Sequence, residues 1–311
     1  MQLRQARERY ARWLRVTKDL SPHTLRAYDG DIAAFERHVG PRAPVRAIDS
    51  ECVVGFMEAQ RAAGLSATSV RRRAAALRGF CRWLVECRLL PRDPWAGGTV
   101  LAARSRALPR VVPGSDLDRL VTYLRGAAGG DTVDVLARPD EATTFLAVAL
   151  MLATGVRVHE VVGIRCHDVD LAGGGVRIIG KGRRERHVFL TNEWIKDLTR
   201  AYLEARTKLG MTHAQLLFNA RRCPLTTAAM RARLVKAARD AGVRARVTPH
   251  MLRHTAATQL IEAGVDIRYI QRLLGHASLT TTEIYTHVSD GALRRVISEA
   301  DVLGRLLQPD N

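Results

Sequence analysis

The N-terminal third of the chain places hydrophobic side chains with the period of an α-helix. Ser21 and Pro22 suit the cap and the first turn of such a helix, because proline needs no N–H group at its start. The hydrophobic positions behind them are three or four residues apart: Leu25, Tyr28, Ile32 and Phe35. We therefore predict an amphipathic helix that begins here.

A second amphipathic helix is predicted from about Ser66, and it has a basic side. Its hydrophobic stripe consists of Val70, Ala74, Leu77, Phe80 and Leu84. Arginines occupy much of the remaining surface: Arg71, Arg72, Arg78 and Arg82. A basic side of this kind can bind in the major groove of DNA. A solvated arginine face is the alternative, and for an isolated helix it is the favoured one.

Prolines and glycines end the helical pattern, and a chain of 311 residues favours two domains. We predict an interdomain linker over residues 97–112, between a helical domain over residues 1–96 and a second domain over residues 113–311. Three linker arginines suit a strap along a DNA backbone, although a plain solvated linker fits as well: Arg104, Arg106 and Arg110.

The second domain is predicted to be mainly helical with one small β element. Residues 175–180 and 186–190 have the composition of strands and flank the basic segment 181–185, which predicts a β-hairpin with a basic tip. The longest apolar run, residues 145–153, is too short to span a bilayer and is typical of a buried helix. The predicted fold class is mainly α with a small β-sheet or hairpin.

Capping residues delimit two helices near the C-terminus. Thr248 caps a helix that starts at His250 and ends at Gly264. Asp266 opens the next helix, which Gly275 ends. Candidate functional residues thus lie at helix starts and ends.

Composition adds a strong positive charge. Lys and Arg total 49 against 31 Asp and Glu, a formal net charge of +18, which favours nucleic acid over a small neutral substrate. The N-terminus lacks the apolar stretch of a secretory signal, so we expect the protein to remain in the cytoplasm and not to bind a membrane. The cysteines have no C-x-x-C spacing, so we expect neither disulfides nor zinc but reduced core residues: Cys52, Cys81, Cys87, Cys166 and Cys223.

Several side chains suit the activation of a phosphodiester without a metal. Attack at phosphorus builds negative charge on the non-bridging oxygens, and arginine forks such as Arg157 and Arg253 can bind them. His250 lies three positions before Arg253 near a helix N-terminus, where anions are favoured. Glu160, three positions after Arg157, can orient its guanidinium. Taken singly, these residues are more often a capping histidine, a surface charge and an ordinary ion pair.

Three further side chains complete the proposed chemistry. A leaving 5′ oxygen needs a proton, which Lys181 at the hairpin tip can supply as a general acid. A tyrosine phenol is both a nucleophile and a leaving group, and Tyr285 is the candidate. His276 can hydrogen-bond the phosphate or the phenol. An exposed lysine and a histidine in a polar gap are the alternatives, and the combination of residues carries the hypothesis.

The segments that contain these residues resemble the catalytic boxes of the tyrosine recombinases, also called the phage integrase family, in the family's order. They are residues 153–160, 180–186, 250–254, 274–276 and 285–287. Residues 20–28 and 66–73 are similar to the helical core-binding domain of the family's Xer-like branch. We expect no arm-binding domain ahead of these helices, and hence short recombination sites.

The resemblance implies that Tyr285 attacks a phosphate activated by five residues: Arg157, Lys181, His250, Arg253 and His276. The products are a 3′-phosphotyrosyl link and a free 5′ hydroxyl, with no ATP and no metal. Four protomers are expected to hold two double-stranded DNA segments at short inverted repeats, each protomer closing its two domains as a clamp. Strands then exchange through a Holliday junction. A directionality factor is a possible further partner.

A hydrophobic stripe beyond the nucleophile predicts a C-terminal helix: Leu293, Ile297, Ala300, Leu303 and Leu307. In this family such a helix typically docks on the neighbouring protomer, so helix exchange is expected to hold a homotetramer together. Packing on its own domain is the alternative, since periodicity does not separate the two.

Departures from the family's pattern bear on the kind of recombinase. His159 replaces a small polar residue, residues 126–144 are longer than the corresponding link of bacterial Xer proteins, and the tail after His287 differs from the usual Xer ending. These differences favour the integrase of a phage or mobile element, with a Xer-type chromosome or plasmid dimer resolvase as the alternative. A type IB topoisomerase and a catalytically inactive DNA-binding regulator are further alternatives.

Overall fold

The computed structural model describes residues 1–18, 20, 22–96, 111–130, 132–180, 185–275, 290–302 and 304. The chain divides into two compact units, Met1–Ala107 and Leu108–Asn311. The boundary between them falls within residues 97–112. Because most of that segment lies outside the described residues, the linker and the bounds of the two domains stay predictions.

The N-terminal unit is built from helices, and the predicted hydrophobic stripe of its last helix is buried. The Ser66 side chain caps that helix by accepting a hydrogen bond from the Ser69 backbone N–H at 3.3 Å. The second helix begins at Pro22, and the predicted cap Ser21 lies outside the described residues. The α-helices described in this unit are α1 (Leu3–Thr17), α2 (Pro22–Val39), α3 (Ser50–Ala62) and α4 (Ala67–Glu86).

Aromatic rings join α1 to α4 in the core of this unit. The ring centroid of Tyr10 lies 5.3 Å from those of Phe80 and Trp83. Burial raises the pKa of Tyr10 to about 12, so its phenol stays protonated at neutral pH. Because these contacts hold one side of α4 in the core, the arginines occupy its remaining surface.

The C-terminal unit surrounds a helix that is hydrophobic on nearly all sides, α6 (Pro139–Thr154). Residues 145–153 lie within it and are almost entirely buried, which confirms the predicted buried helix. A helix with no polar side must be covered all round. The helices packed on it include α5 (Gly114–Ala127), α8 (Glu193–Lys208), α9 (Thr227–Asp240) and α10 (Pro249–Glu262).

The predicted helix boundaries near the C-terminus are confirmed to within a residue or two. The Thr248 hydroxyl caps α10 by accepting from the Met251 backbone N–H at 3.3 Å, and Asp266 caps the next helix by accepting from the Arg268 N–H at 2.8 Å. Gly275 ends that helix in the left-handed conformation. The shorter helices described in this unit are α7 (Val158–Gly163), α11 (Ile267–Leu274) and α12 (Asp290–Ala300).

The described strands form one antiparallel sheet in the order β1 (Val169–Asp170), β2 (Gly175–Ile179) and β3 (Glu185–Phe189). Strands β2 and β3 are the predicted hairpin, with Ile178 opposite Arg186. Residues 181–184 of the predicted basic tip lie outside the described residues, and Glu185 begins β3. The sequence did not predict β1, because a strand of two residues is too short to show alternation.

The cysteines correct one expectation. Cys81 is buried and Cys52 and Cys166 are half-buried, but Cys87 and Cys223 are exposed, so these two are not core residues. Cys87 lies in the turn after α4 and Cys223 in a loop, so neither is on the buried side of a helix. All five are free thiols, and burial raises the pKa of Cys81 to about 12.

The described part of the C-terminal tail packs on its own unit. Ile297 and Ala300 of α12 are buried in the core of the C-terminal unit. The Asn192 side-chain amide also donates a hydrogen bond to the Asp301 carboxylate at 2.8 Å. In the single chain, the described part of the tail therefore packs on its own domain, which was the alternative to helix exchange. The Leu293 side chain and residues 303 and 307 lie outside the described part of the chain.

Candidate active site

Among the described residues predicted to bind the phosphate, Arg253 is the most deeply buried. This residue lies on α10 and is only 4% exposed. Nη1 donates to the carbonyl oxygen of Gly155 at 2.6 Å, and Nη2 donates to that of Leu274 at 2.8 Å. Burial and the nearby charge of Arg157 lower the pKa of Arg253 to about 10, so it remains a cation at neutral pH. One buried guanidinium thus holds three distant segments together.

Arg157 and Glu160 meet at the start of α7. One Glu160 carboxylate oxygen accepts from the Arg157 backbone N–H at 2.7 Å, and the other accepts from its Nη1 at 3.1 Å. The Arg157 side chain remains 37% exposed, whereas that of Glu160 is fully buried. The carboxylate therefore fixes the arginine from its buried side, at the contact that the three-residue spacing predicted.

Arg186 on β3 is a residue of this site that the sequence pattern did not single out. Its Nη1 and Nη2 donate to the two Glu160 carboxylate oxygens at 2.8 Å each, and its Nε donates to the Leu273 carbonyl at 3.0 Å. The available signal was its place at the end of the hairpin segment 180–186, which resembles a catalytic box. Arg186 thus joins the hairpin to α7 and to the end of α11.

The electrostatics of Glu160 follow from these contacts. Burial by itself raises the pKa of this carboxyl group, but hydrogen bonds from Arg186 and from the Arg157 backbone outweigh it. The pKa of Glu160 falls to about 2, so the group is a carboxylate at every physiological pH. Its charge partly neutralises the cluster of arginines around it.

Gly275, at the end of α11, lies against Arg186. Its φ of 61° is in the left-handed region that favours glycine. A Cβ atom at this position would lie 3.2 Å from Cδ and 3.3 Å from Nε of Arg186. A glycine is therefore needed both for the turn and for the approach of the arginine. Residues 276–289, which follow it, lie outside the described part of the chain.

His250 and His254 lie one turn apart on α10, with their rings edge to face at an angle of 72°. Their Nε2 atoms are 2.9 Å apart, so one ring donates a hydrogen bond and the other accepts it. Burial and the charges of His250 and Arg253 lower the pKa of His254, which keeps its ring neutral at pH 7. His250 is exposed, and His254, to which the sequence pattern gave no role, is its hydrogen-bonding partner.

Arg157, His250 and Arg253 line one cleft of about 440 Å³ in the C-terminal unit. The structure therefore brings these three predicted residues together. His159, the departure from the family's pattern, lines the same cleft, and burial lowers its pKa. Two arginines that the sequence pattern did not single out also line it, Arg231 and Arg246. Lys181, His276 and Tyr285 lie outside the described residues.

The candidate DNA-binding arginines of α4 are not equivalent. Arg71, Arg78 and Arg82 are seven and four positions apart and so share one face of the helix. The guanidinium of Arg78 lies 4.7 Å from the centroid of the Trp95 ring. Arg72 instead donates to the buried carboxylate of Asp31 at 2.9 Å, a carboxylate that Arg73 also approaches at 3.4 Å. The linker candidates Arg104, Arg106 and Arg110 lie outside the described residues.

Two further features of the described residues bear on other classes of function. No group of three or more His, Cys, Asp or Glu side chains in this part of the chain is placed to hold a metal ion. None of the helices described there is long and apolar enough to cross a membrane.

Comparison with known proteins identifies the family. Residues 116–291 match the phage integrase family, and residues 8–87 match the phage integrase N-terminal SAM-like domain. The chain is 35% identical to tyrosine recombinase XerC of Xylella fastidiosa, over 94% of this chain and 95% of that protein. It is 32% identical to tyrosine recombinase XerD of Listeria monocytogenes, over 94% and 97% of the two chains.

The chain therefore belongs to the phage integrase family. Within it, this is a Xer-like tyrosine recombinase, a site-specific DNA recombinase by class. The N-terminal match agrees with the resemblance seen in residues 20–28 and 66–73.

Solved structures support the fold. The chain matches a lambda integrase dimer bound to a COC′ core site with a TM-score of 0.71 and 19% identity, covering 92% of this chain and 100% of that chain. It matches the Tn1549 transposon integrase in complex with transposon right-end DNA with a TM-score of 0.71 and 17% identity, covering 95% and 98%. At these identities the likeness establishes the mainly α fold with its small sheet.

Proposed function

We propose that this protein is a Xer-type recombinase that cuts and rejoins DNA strands through a phosphotyrosyl intermediate. The observation that carries the proposal is the cleft lined by Arg157, His250 and Arg253. Among its described lining residues there is no carboxylate, and Glu160 supports Arg157 from outside the lining. A cleft of this charge suits the anionic phosphorus centre of a DNA backbone.

In the proposed reaction, Arg157 and Arg253 bind the non-bridging oxygens of the scissile phosphate. A guanidinium has more N–H donors than the two that Arg253 gives to backbone carbonyls, so donors remain for the substrate. Because those carbonyls already hold Arg253 in place, little reorganisation accompanies the reaction. His250 and His276 supply further hydrogen bonds to the phosphate.

The Tyr285 phenol loses its proton to water, its oxygen attacks phosphorus, and the bond to the 5′ oxygen breaks. Lys181 donates the proton that the leaving 5′ oxygen takes. One phosphoester replaces another, so the 3′-phosphotyrosyl link keeps the bond energy, and a 5′ hydroxyl from a partner strand reseals the DNA by the reverse steps. This sequence of steps consumes no ATP.

We propose a homotetramer on two DNA duplexes as the working assembly. A solved lambda integrase tetramer is bound to a Holliday junction, and this chain shares its fold. In our proposal the N-terminal unit closes over DNA with the α4 face of Arg71, Arg78 and Arg82. Exchange of α12 between protomers requires the buried residues Ile297 and Ala300 to leave their own unit.

The relatives favour a dimer resolvase over the integrase of a phage or mobile element. Both the Xylella and the Listeria relative are Xer recombinases, and they match nearly the whole chain. The longer segment, residues 126–144, does not line the cleft, so its length leaves the proposed chemistry unaffected. His159 does line the cleft, next in sequence to Glu160, and in our proposal it affects how Glu160 is held.

A nicked DNA library tests the proposed reaction without knowledge of the target. A duplex with a random central segment and a nick near its middle releases the cleaved 5′ end, which traps the covalent intermediate. We expect the wild-type protein to form an adduct that resists SDS, and Tyr285→Phe to form none. Sequencing of the trapped DNA is expected to reveal short inverted repeats.

Two outcomes point to the alternatives. No adduct with either protein, together with retained DNA binding, supports the inactive regulator. Rapid relaxation of supercoiled DNA, without joining of two duplexes that carry the selected site, supports the type IB topoisomerase. A resolvase is expected instead to recombine two copies of the selected site on one plasmid.

A further inference from the structure

Two arginines that the proposed reaction does not use lie in the same cleft. Arg231 is on α9 and Arg246 is on the loop that leads to α10, and both residues are exposed. Neither guanidinium has a hydrogen-bonding or ion-paired partner among the described residues. By contrast, Arg233 on α9 pairs with Asp140 at 2.6 Å. The cleft therefore holds two cations whose charge no described side chain balances.

The cleft is larger than one phosphate group requires. Its volume of about 440 Å³ lies in the range of pockets that bind a whole small molecule. Its walls combine cations with hydrophobic side chains, among them Val158, Val235 and Val247. Val235 is 44% exposed, a hydrophobic side chain left open to solvent in a cationic cleft. A DNA backbone has the matching composition, since apolar sugars join its anionic phosphates.

We propose that Arg231 and Arg246 form a second phosphate subsite, which binds the backbone phosphate next to the scissile one. In this arrangement the exposed Val235 contacts the deoxyribose between the two phosphates. The inference rests on the proposed function, which places the scissile phosphate on Arg157 and Arg253. Such a subsite reads no base, because phosphate contacts position DNA without specifying its sequence.

A second point of attachment has a chemical consequence. A phosphate held at one point can still turn relative to the attacking phenol, whereas two adjacent phosphates held together fix the direction of the backbone. In-line attack at phosphorus depends on that direction, and small misplacements cost large factors in rate. The second subsite thereby contributes to orientation of the substrate as well as to affinity.

Nucleotides with one or two phosphates test the subsite directly. Thymidine 3′,5′-bisphosphate carries one phosphate at each end of its deoxyribose. Thymidine 5′-phosphate and thymidine 3′-phosphate carry a single phosphate each. We expect the full-length wild-type protein to bind the bisphosphate at least about tenfold more tightly than either monophosphate, the effect of one charge-assisted contact. Binding is measured by calorimetry in about 0.15 M salt. At this ionic strength the Debye length is roughly 8 Å, so exposed charges farther away than this contribute little.

Matched variants locate the effect. The double variant Arg231→Gln/Arg246→Gln is expected to lose the preference for the bisphosphate and to keep monophosphate affinity within about twofold. Arg244→Gln is the control, because Arg244 is exposed and two positions from Arg246 but does not line the cleft. It is expected to bind all three nucleotides as the wild type does. A circular dichroism spectrum and melting curve confirm that each variant is folded.

The outcomes separate this inference from the proposed function. Equal affinity of the wild type for the bisphosphate and the monophosphates overturns the second subsite, even if the nicked library yields the Tyr285 adduct. An equal loss of preference in Arg244→Gln also overturns it, because general surface charge then explains the effect. Absence of the adduct overturns the proposed function instead, whatever the nucleotides show.

Discussion

Arg186 and Glu160 form a bidentate ion pair in which both guanidinium nitrogens Nη1 and Nη2 lie 2.8 Å from a carboxylate oxygen. The Glu160 side chain is fully buried, and that of Arg186 is 15% exposed. The pair links strand β3 of the hairpin to α7, which begins next to Arg157. The position of this strand relative to Arg157 thus depends on one ion pair.

Removal of Arg186 is expected to destabilise the C-terminal unit because it leaves the Glu160 charge buried. We expect Arg186→Met to lower the free energy of unfolding by about 3 kcal/mol. Adding Glu160→Gln to that variant should cost less than Glu160→Gln costs alone, since the two groups share one interaction. Urea unfolding monitored by hydrogen exchange of α6 reports this unit. Additive effects in the double variant would show that the pair is not coupled.

An exposed pair on α8 provides the control for this experiment. Arg200 and Asp197 form an ion pair three residues apart, and both side chains are more than half exposed. Arg200→Met is expected to change the free energy of unfolding by less than about 1 kcal/mol. A loss as large as that of Arg186→Met would indicate that any arginine of this unit matters equally.

Acid is expected to weaken the C-terminal unit through Glu160. Its pKa is about 2 in the folded protein against an ordinary value of 4.5, so the folded state favours the carboxylate. The resulting stability is complete above the unfolded pKa and is lost as pH falls toward the folded pKa. Between about pH 4 and pH 3 the wild type should lose about 1 kcal/mol more than Glu160→Gln. Parallel curves for the two proteins would contradict this.

Gly275 is expected to be less tolerant of a side chain than another glycine with a positive φ. Gly264 has φ 81°, and a Cβ atom there would have no neighbouring atom within 4 Å, whereas a Cβ at Gly275 meets Arg186. Both alanine variants should lose about 1 kcal/mol from backbone strain. Gly275→Ala should lose more in the same urea experiment, because Arg186 must shift. Equal losses would mean that Arg186 gives way freely.

His254 is expected to act on cleavage through His250. On the trapped site, His254→Leu should slow single-turnover adduct formation by about tenfold to a hundredfold, because His250 loses the partner that orients its ring. His254→Gln keeps a hydrogen-bonding side chain and should restore part of the rate. DNA affinity, measured by fluorescence anisotropy, should stay unchanged in both variants. A parallel loss of affinity would indicate a general structural role instead.

Local sequence was sufficient for much of the fold. The hydrophobic stripe of α4, the buried run of α6 and the hairpin were predictable because each depends on spacing within one element. The caps Thr248 and Asp266 were predictable for the same reason, since a capping side chain binds backbone only a few residues away. The two-residue strand β1 escaped prediction because it is too short to carry a pattern.

The candidate site shows the same difference between what local sequence predicts and what tertiary contacts decide. The sequence by itself determined the candidate residues Arg157, Glu160 and Arg253, because their segments have a recognisable order and spacing. Only the tertiary structure decided that Arg186 binds Glu160 and that Arg253 donates to the carbonyls of distant residues. The same holds for Arg231 and Arg246 in the cleft. These contacts join residues far apart in the chain, so their geometry depends on how the helices pack and not on any local pattern.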